Sequence, residues 1–345
     1  MAVKTTTPQE LARLRAAEAP RRGRSPLADA FRQLTKNRLA VASGIFIIIL
    51  ILVAVFADTM VISFFTGEEA RPLLAPYGYA EVNFRYHDLG LFTRTEDGKL
   101  FLLGVDYLGR DMLSRTLYGT RISLAVAFVA ASVSLFIGLV YGLASGYFGG
   151  RVDNVMMRFV DFLYGFPLIV FVILMQVYFK AISRRGATGL AGTLINLNQS
   201  MGGMFFLFIA LGALNWLGMA RITRGQVLSY REKEFVEAAR MVGAGDVRII
   251  FRHLLPNILG PCIVAETLQI PGYIFLEAFL SFIGLGVNPP TPSWGLMISE
   301  AYQALRSYPH EVFVPAVALT LTTLAFNFLG DGLRDAFDPR LRGTT

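Results

Sequence analysis

The stretch from Glu234 to Asn257, EFVEAARMVGAGDVRIIFRHLLPN, decides how the rest of the chain is read. It is a charged segment set between two strongly apolar ones. Phe235, Ala238, Ala239 and Val242 recur at i, i+3, i+4 and i+7, which predicts a first amphipathic helix. Val247, Ile250, Phe251 and Leu254 repeat that spacing and predict a second. Gly243 and Gly245 fall between them, where a helix end favours a residue free to take positive φ. Asp246 is the expected N-cap of the second helix, and Pro256 closes the unit. Arg240, Arg248 and Arg252 keep the segment out of the bilayer core, where a charge at a helix centre costs about 2.5–3.5 kcal/mol on insertion scales. An amphipathic helix–turn–helix with apolar faces in need of a partner is the result. Lipid surface is one candidate partner and another protein is the other.

The composition supports the membrane setting on either side of this unit. Hydrophobic residues make up 54% and charged residues 17% of the 345 residues, against about a quarter charged in soluble domains. Mean hydropathy is +0.51. The fold expected is all-α and polytopic, with six apolar spans near 39–56, 122–147, 155–179, 204–220, 258–286 and 312–329. Lys and Arg concentrate in residues 1–38, 148–158, 221–256 and 331–345, which places both termini and the 234–257 unit on the cytoplasmic side. The net charge of +7 is therefore read as a topology signal and not as affinity for nucleic acid. Residues 1–38 form a basic cytoplasmic segment with an interfacial amphipathic helix from Pro26 to Arg38. The membrane body covers 39–330, including a long outer loop at 66–121 and the cytoplasmic loop at 221–256, and 331–345 is a cytoplasmic tail. Residues 181–203, rich in Gly, Ser and Asn, read as a second extended outer loop.

Several residues stand out within this frame. Gly138, Gly142 and Gly146 put a small residue at every fourth position of the second span, the pattern of a close helix–helix contact. Asp161 is expected to be solvated or paired with Arg158. Glu266 and Glu277 lie in the fifth span, where acids either line a path or tie helices together, and Pro271 should kink that span. Cys262, alone of its type, reads as a small buried hydrophobe.

Four segments carry a family resemblance. Glu237-Ala238-Ala239, then Gly243, His253 and Leu255-Pro256, resemble the EAA loop of ABC importer permeases, with His253 as in the peptide and nickel branch. Residues 103–115, LGVDYLGRDMLSR, resemble the signature before the family's second span, with Val105 in place of the usual Thr. Residues 277–295, EAFLSFIGLGVNPPTPSWG, and 330–340, GDGLRDAFDPR, resemble two further family motifs. The resemblance implies a C-type permease subunit for di- or oligopeptides, with nickel or an oligosaccharide as alternative cargo. It implies that the EAA loop docks on a separate ATPase and that a second permease, two ATPase subunits and an extracytoplasmic binding protein complete the machine in a prokaryotic inner membrane. The rival of a different class is a membrane scaffold without transport.

No G-x-x-x-x-G-K-[ST] phosphate loop and no H-E-x-x-H occurs in the sequence, and His87, His253 and His310 are scattered. The expectation is a chain without catalytic residues, metal or cofactor of its own, with ATP and Mg bound by the partner ATPases.

Overall fold

The structure is a computed structural model that describes residues 26–59, 71–185 and 189–337. It is built almost wholly of helices, as expected. The first two are α1 (Pro26–Leu34) and α2 (Arg38–Phe56). Asn37 caps α2 by accepting from the Ala40 amide at 3.1 Å. Beyond Arg38 the helix has no charged residue, and Ile45, Ile48, Ile49 and Leu52 point outward, as a lipid-facing helix requires. The remaining N-terminal residues, 60–70 and the tail from 338 lie outside the described residues, and with them Asp338-Pro339-Arg340 of the last motif.

Helix α3 (Met112–Phe148) runs for 37 residues and makes its most extensive contact with α7 (Met204–Tyr230). The glycine stripe explains that pairing. A Cβ at Gly138 would lie 2.5 Å from the Met219 Cβ, one at Gly142 2.5 Å from the Ala220 carbonyl oxygen, and one at Gly146 2.8 Å from the Val227 Cβ. In lipid no hydrophobic force drives helices together, so backbones that can approach this closely supply the packing. The stripe is therefore an internal contact of this chain.

The expected third span is instead two helices, α4 (Gly150–Tyr164) and α5 (Leu168–Arg185), bent by 75°. Gly165-Phe166-Pro167 sits at the bend: Pro167 lacks an N–H, and its ring disfavours helical geometry at Phe166. Asp161 of α4 pairs with Arg221 at 2.5 Å and not with Arg158. The stretch expected as an extended outer loop is also helical. Helix α5 runs to Arg185, and α6 covers Gly189–Ser200. Buried Asn198 then accepts from the Phe206 amide at 3.1 Å and fixes the entry to α7.

After the 234–257 unit come α9 (Leu255–Thr267) and α10 (Ile270–Phe282), broken at Leu268-Gln269. Pro271 has no amide hydrogen to offer the Thr267 carbonyl, so the kink expected there becomes a break just before it. Helices α11 (Trp294–Ala301) and α12 (Pro309–Phe337) follow. Among the described residues five helical segments are long and apolar enough to cross a membrane, or six if the bent α4–α5 pair counts as one.

The segment from 71 to α3 is compact. A small hairpin pairs β1 (Thr93–Arg94) with β2 (Leu100–Phe101), and Asp58 bridges to Pro72. Helix α3 begins at Met112, so the last ten residues of the stretch expected as a loop at 66–121 are helical.

Candidate functional site

Helix α8 (Glu234–Met241) opens the hairpin. It ends with the Gly243 amide bonded to the Arg240 carbonyl at 2.9 Å and the Ala244 amide bonded to the Ala239 carbonyl at 3.0 Å. That bond pair is the Schellman ending, and it requires the positive φ of +82° found at Gly243. Asp246 is not the N-cap: Gly245 holds that position without a side-chain bond. The Asp246 carboxylate instead accepts from the Tyr147 hydroxyl of α3 at 2.6 Å.

From Ile249 to Leu254 the chain forms a π-helical segment running into α9. Pro256 accounts for it. Pro256 cannot donate to the Arg252 carbonyl and would clash with it in a regular helix, and a wider turn relieves both problems. Widening rotates the buried positions to Ile249, Leu254 and Ile258, which pack with Val236, Val227, Leu143 and Tyr147. The apolar residues picked out by 3.6-residue periodicity mostly face the other way. Phe235, Val242, Val247 and Phe251 are exposed, as is Met241, with Val242 and Met241 each 89% accessible. Ala238 is exposed and Ala239 half-buried. Glu237 lines an outward recess of about 270 Å³ with Tyr147, Arg231, Glu232 and Arg240. His253 is half-buried, and its carbonyl accepts from the Asn257 side chain at 2.6 Å. Leu255 is half-buried and Pro256 exposed, so the seven sequence-predicted coupling residues sit on one hairpin but not on one face.

The end of α7 that leads into the hairpin is tied to α3 and α4. Arg231 donates to the Gly146 carbonyl at 2.9 Å. Arg224 of α7 makes a two-pronged bond to Asp153 of α4 at 2.5 Å on each oxygen, and Ser145 of α3 donates to the same carboxylate. Sequence reading had passed over Arg224, Arg231 and the role of Tyr147.

On the opposite side of the fold, the 103–115 motif is buried. Arg110 and Arg115 each bond both Asp106 and Glu300: Arg110 at 2.7 and 2.9 Å, Arg115 at 2.5 and 2.7 Å. Asp111 caps α3 by accepting from the Ser114 amide at 2.7 Å, and burial pushes its carboxyl above the ordinary range. Gly109 takes φ +74°, with the Asn83 carbonyl 1.9 Å from where a Cβ would stand. These buried residues position α3 against α11.

The two acids of the fifth span differ. Glu277 is fully buried and accepts from Ser123 at 3.1 Å and Ser281 at 2.7 Å, joining α3 to α10. Ser293, which caps α11, reaches Ser281 at 3.3 Å. Glu277→Gln should lower detergent stability by about 1–3 kcal/mol, because one serine loses its acceptor. Transport per folded complex should stay at the parental value, and a transport defect without a stability defect would place Glu277 on the path instead. Glu266 is buried to 4% exposure but borders a cavity. Cys262 is fully buried beside Thr223.

Bundled apolar helices carrying an anchored hairpin with an exposed apolar face define a polytopic helical membrane protein. The family described as "Binding-protein-dependent transport system inner membrane component" matches residues 138–343, and the "N-terminal TM domain of oligopeptide transport permease C" matches residues 25–91. The chain belongs to this binding-protein-dependent transport permease family. It is 42% identical over 323 residues to the oligopeptide transport system permease protein OppC of Haemophilus influenzae, covering 93% of this chain and 90% of that one. It is 38% identical to the OppC protein of Bacillus subtilis, covering 91% of this chain and 90% of the relative. It is also 40% identical to the dipeptide transport system permease protein DppC of Bacillus subtilis, covering 91% of this chain and 86% of the relative.

Proposed function

We propose that this chain is one of two permease subunits in an inner-membrane importer for di- or oligopeptides, driven by two separate cytoplasmic ATPases that hold ATP and Mg. An extracytoplasmic binding protein delivers the cargo. Peptide cargo is favoured over nickel or an oligosaccharide by the names of the relatives that span nearly the whole chain. The hairpin carries the mechanical reading: its outward face is apolar and uncovered while its inner face is bonded to Tyr147 of α3 and packed on Val227 of α7. An acidic first turn, Glu234 and Glu237, suits a cationic groove on a protein better than an anionic lipid surface. Glu237 pairs with a cation of the motor, Ala238 and Ala239 allow close approach, and closure of the motor on ATP shifts the hairpin and biases the spans between inward- and outward-open states.

Cysteine labelling tests orientation and docking together. In a Cys262→Ala background, Glu96→Cys should react with an impermeant maleimide in intact cells. Val242→Cys should react only after lysis, and co-expressed ATPase subunits should protect it. Labelling of Val242→Cys from outside reverses the topology, and labelling unaffected by the ATPases removes the coupling assignment.

A further inference from the structure

A half-open cavity of about 170 Å³ lies between α3, α7, the end of α4 and the α9–α10 break. That is well above the ~10–15 Å³ one water needs. Its polar lining is Ser134, Asn215, Glu266, Gln269 and Tyr273, with Tyr164 also facing it. Glu266 accepts from the Tyr273 hydroxyl at 2.7 Å and the Ser134 hydroxyl at 3.2 Å. Those two bonds fix the carboxylate and leave it acceptor capacity. No lysine, arginine or histidine acts on it among the described residues.

Glu277 is the internal comparison. It lies one span-half away on α10, closed in by serines, and lines neither this cavity nor the outward recess. A buried acid that only ties helices needs no cavity. An acid held in the hydrocarbon region by two donors and facing open space keeps acceptor capacity for a bound donor. Its place at a broken helix is also where membrane transporters commonly expose polar groups to cargo. Tyr164 also lines the cavity, and its ring is engaged by the Arg221 guanidinium at 4.0 Å.

We propose that this cavity is a cargo subsite for a primary ammonium group, bound by Glu266, with Ser134 and Tyr273 as positioning residues. The proposal rests on the reading of the chain as a peptide permease. The ammonium of a peptide can come from its N-terminus or from a lysine side chain, and both present the same chemistry to the carboxylate.

The test uses the complete importer complex in detergent, with Gln269→Cys introduced in the Cys262→Ala background; Gln269 lines the cavity and is exposed. The labelling rate by a small maleimide is measured with alanyl-alanine amide, with its N-acetylated form, and with an N-acetylated peptide amide containing lysine. The free-amine peptide should slow labelling about fourfold at three times its dissociation constant, by simple occupancy. The N-acetylated alanine peptide should not protect. Protection by the acetylated lysine peptide assigns the side chain as an accepted source, and its absence assigns the N-terminus alone. Glu266→Gln should abolish protection, and Glu266→Asp should retain part of it and so excludes misfolding as the cause. Equal protection by the acetylated alanine peptide, none by the free amine, or protection that survives Glu266→Gln overturns the subsite. Stimulation of ATP hydrolysis by peptide-loaded binding protein, measured in the parent complex, scores the peptide-importer reading separately.

Discussion

Gly243→Val is expected to leave the chain inserted in the membrane and to cut transport and ATPase recovery about tenfold each, the effect of ~1.4 kcal/mol. The residue stands at φ +82°, and nothing lies within 4 Å of where a Cβ would be. The penalty is therefore in the backbone, about 1–2 kcal/mol for an L-residue in left-handed geometry and more for a β-branched one. Relief of that strain breaks the amide bonds to Arg240 and Ala239 that close α8, so α8 swings relative to the π-helical segment. Two comparisons isolate the cause. Gly243→Asn, which tolerates this region, should recover much of the loss, whereas Gly245→Ala, at φ −70° in open space, should behave as the parent. Glu237→Lys should reduce ATP hydrolysis by the complex without altering insertion, because it reverses an exposed charge. Parental copurification and hydrolysis for both Gly243→Val and Glu237→Lys would remove the coupling role of the hairpin.

Arg115→Met should have the largest effect on stability. Arg115 is 1% exposed and bonds two carboxylates, so its removal strands Asp106 with one cation and Glu300 with one. Breaking one partner out of a buried ionic group costs about 3–5 kcal/mol. Glu300→Gln should cost less, since its side chain is 15% exposed and Asp106 keeps both arginines. Thermal unfolding in detergent measures both, and an Arg115→Met protein as stable as the parent would show that the box is not what holds the N-terminal end of α3.

How much of this was legible in the sequence follows from how local each device is. The glycine stripe and Gly243 could be read directly, because close approach and left-handed geometry each demand a particular residue at a particular place. The ionic box could not: Arg110 and Arg115 stand 190 and 185 positions from Glu300, and Glu300 carries no local signal. The same applies to Asp246, whose carboxylate is taken by a tyrosine 99 residues earlier. The apolar faces of the hairpin were visible, but their direction was not. A 3.6-residue template has no place for the five-residue step from Ile249 to Leu254, although Pro256 was in plain view as its cause. The α4–α5 bend was hidden by apolar flanks that let the eye run through Pro167. Glu266 and Glu277 looked alike in the sequence, and only their surroundings separate a sealed acid from one that faces a cavity.

Helix α3 is a single rod of 37 residues, about 55 Å long at 1.5 Å per residue. Near one end, Arg115 is clamped in the ionic box; near the other, Tyr147 is bonded to the hairpin. A tilt of about 5° around its midpoint would carry each end through about 2.4 Å in opposite directions on such a rod. That is enough to part the bonds at either end. Push the foot of this beam and its head must answer across the full thickness of the bilayer, with the α7 strut alongside it sharing the load.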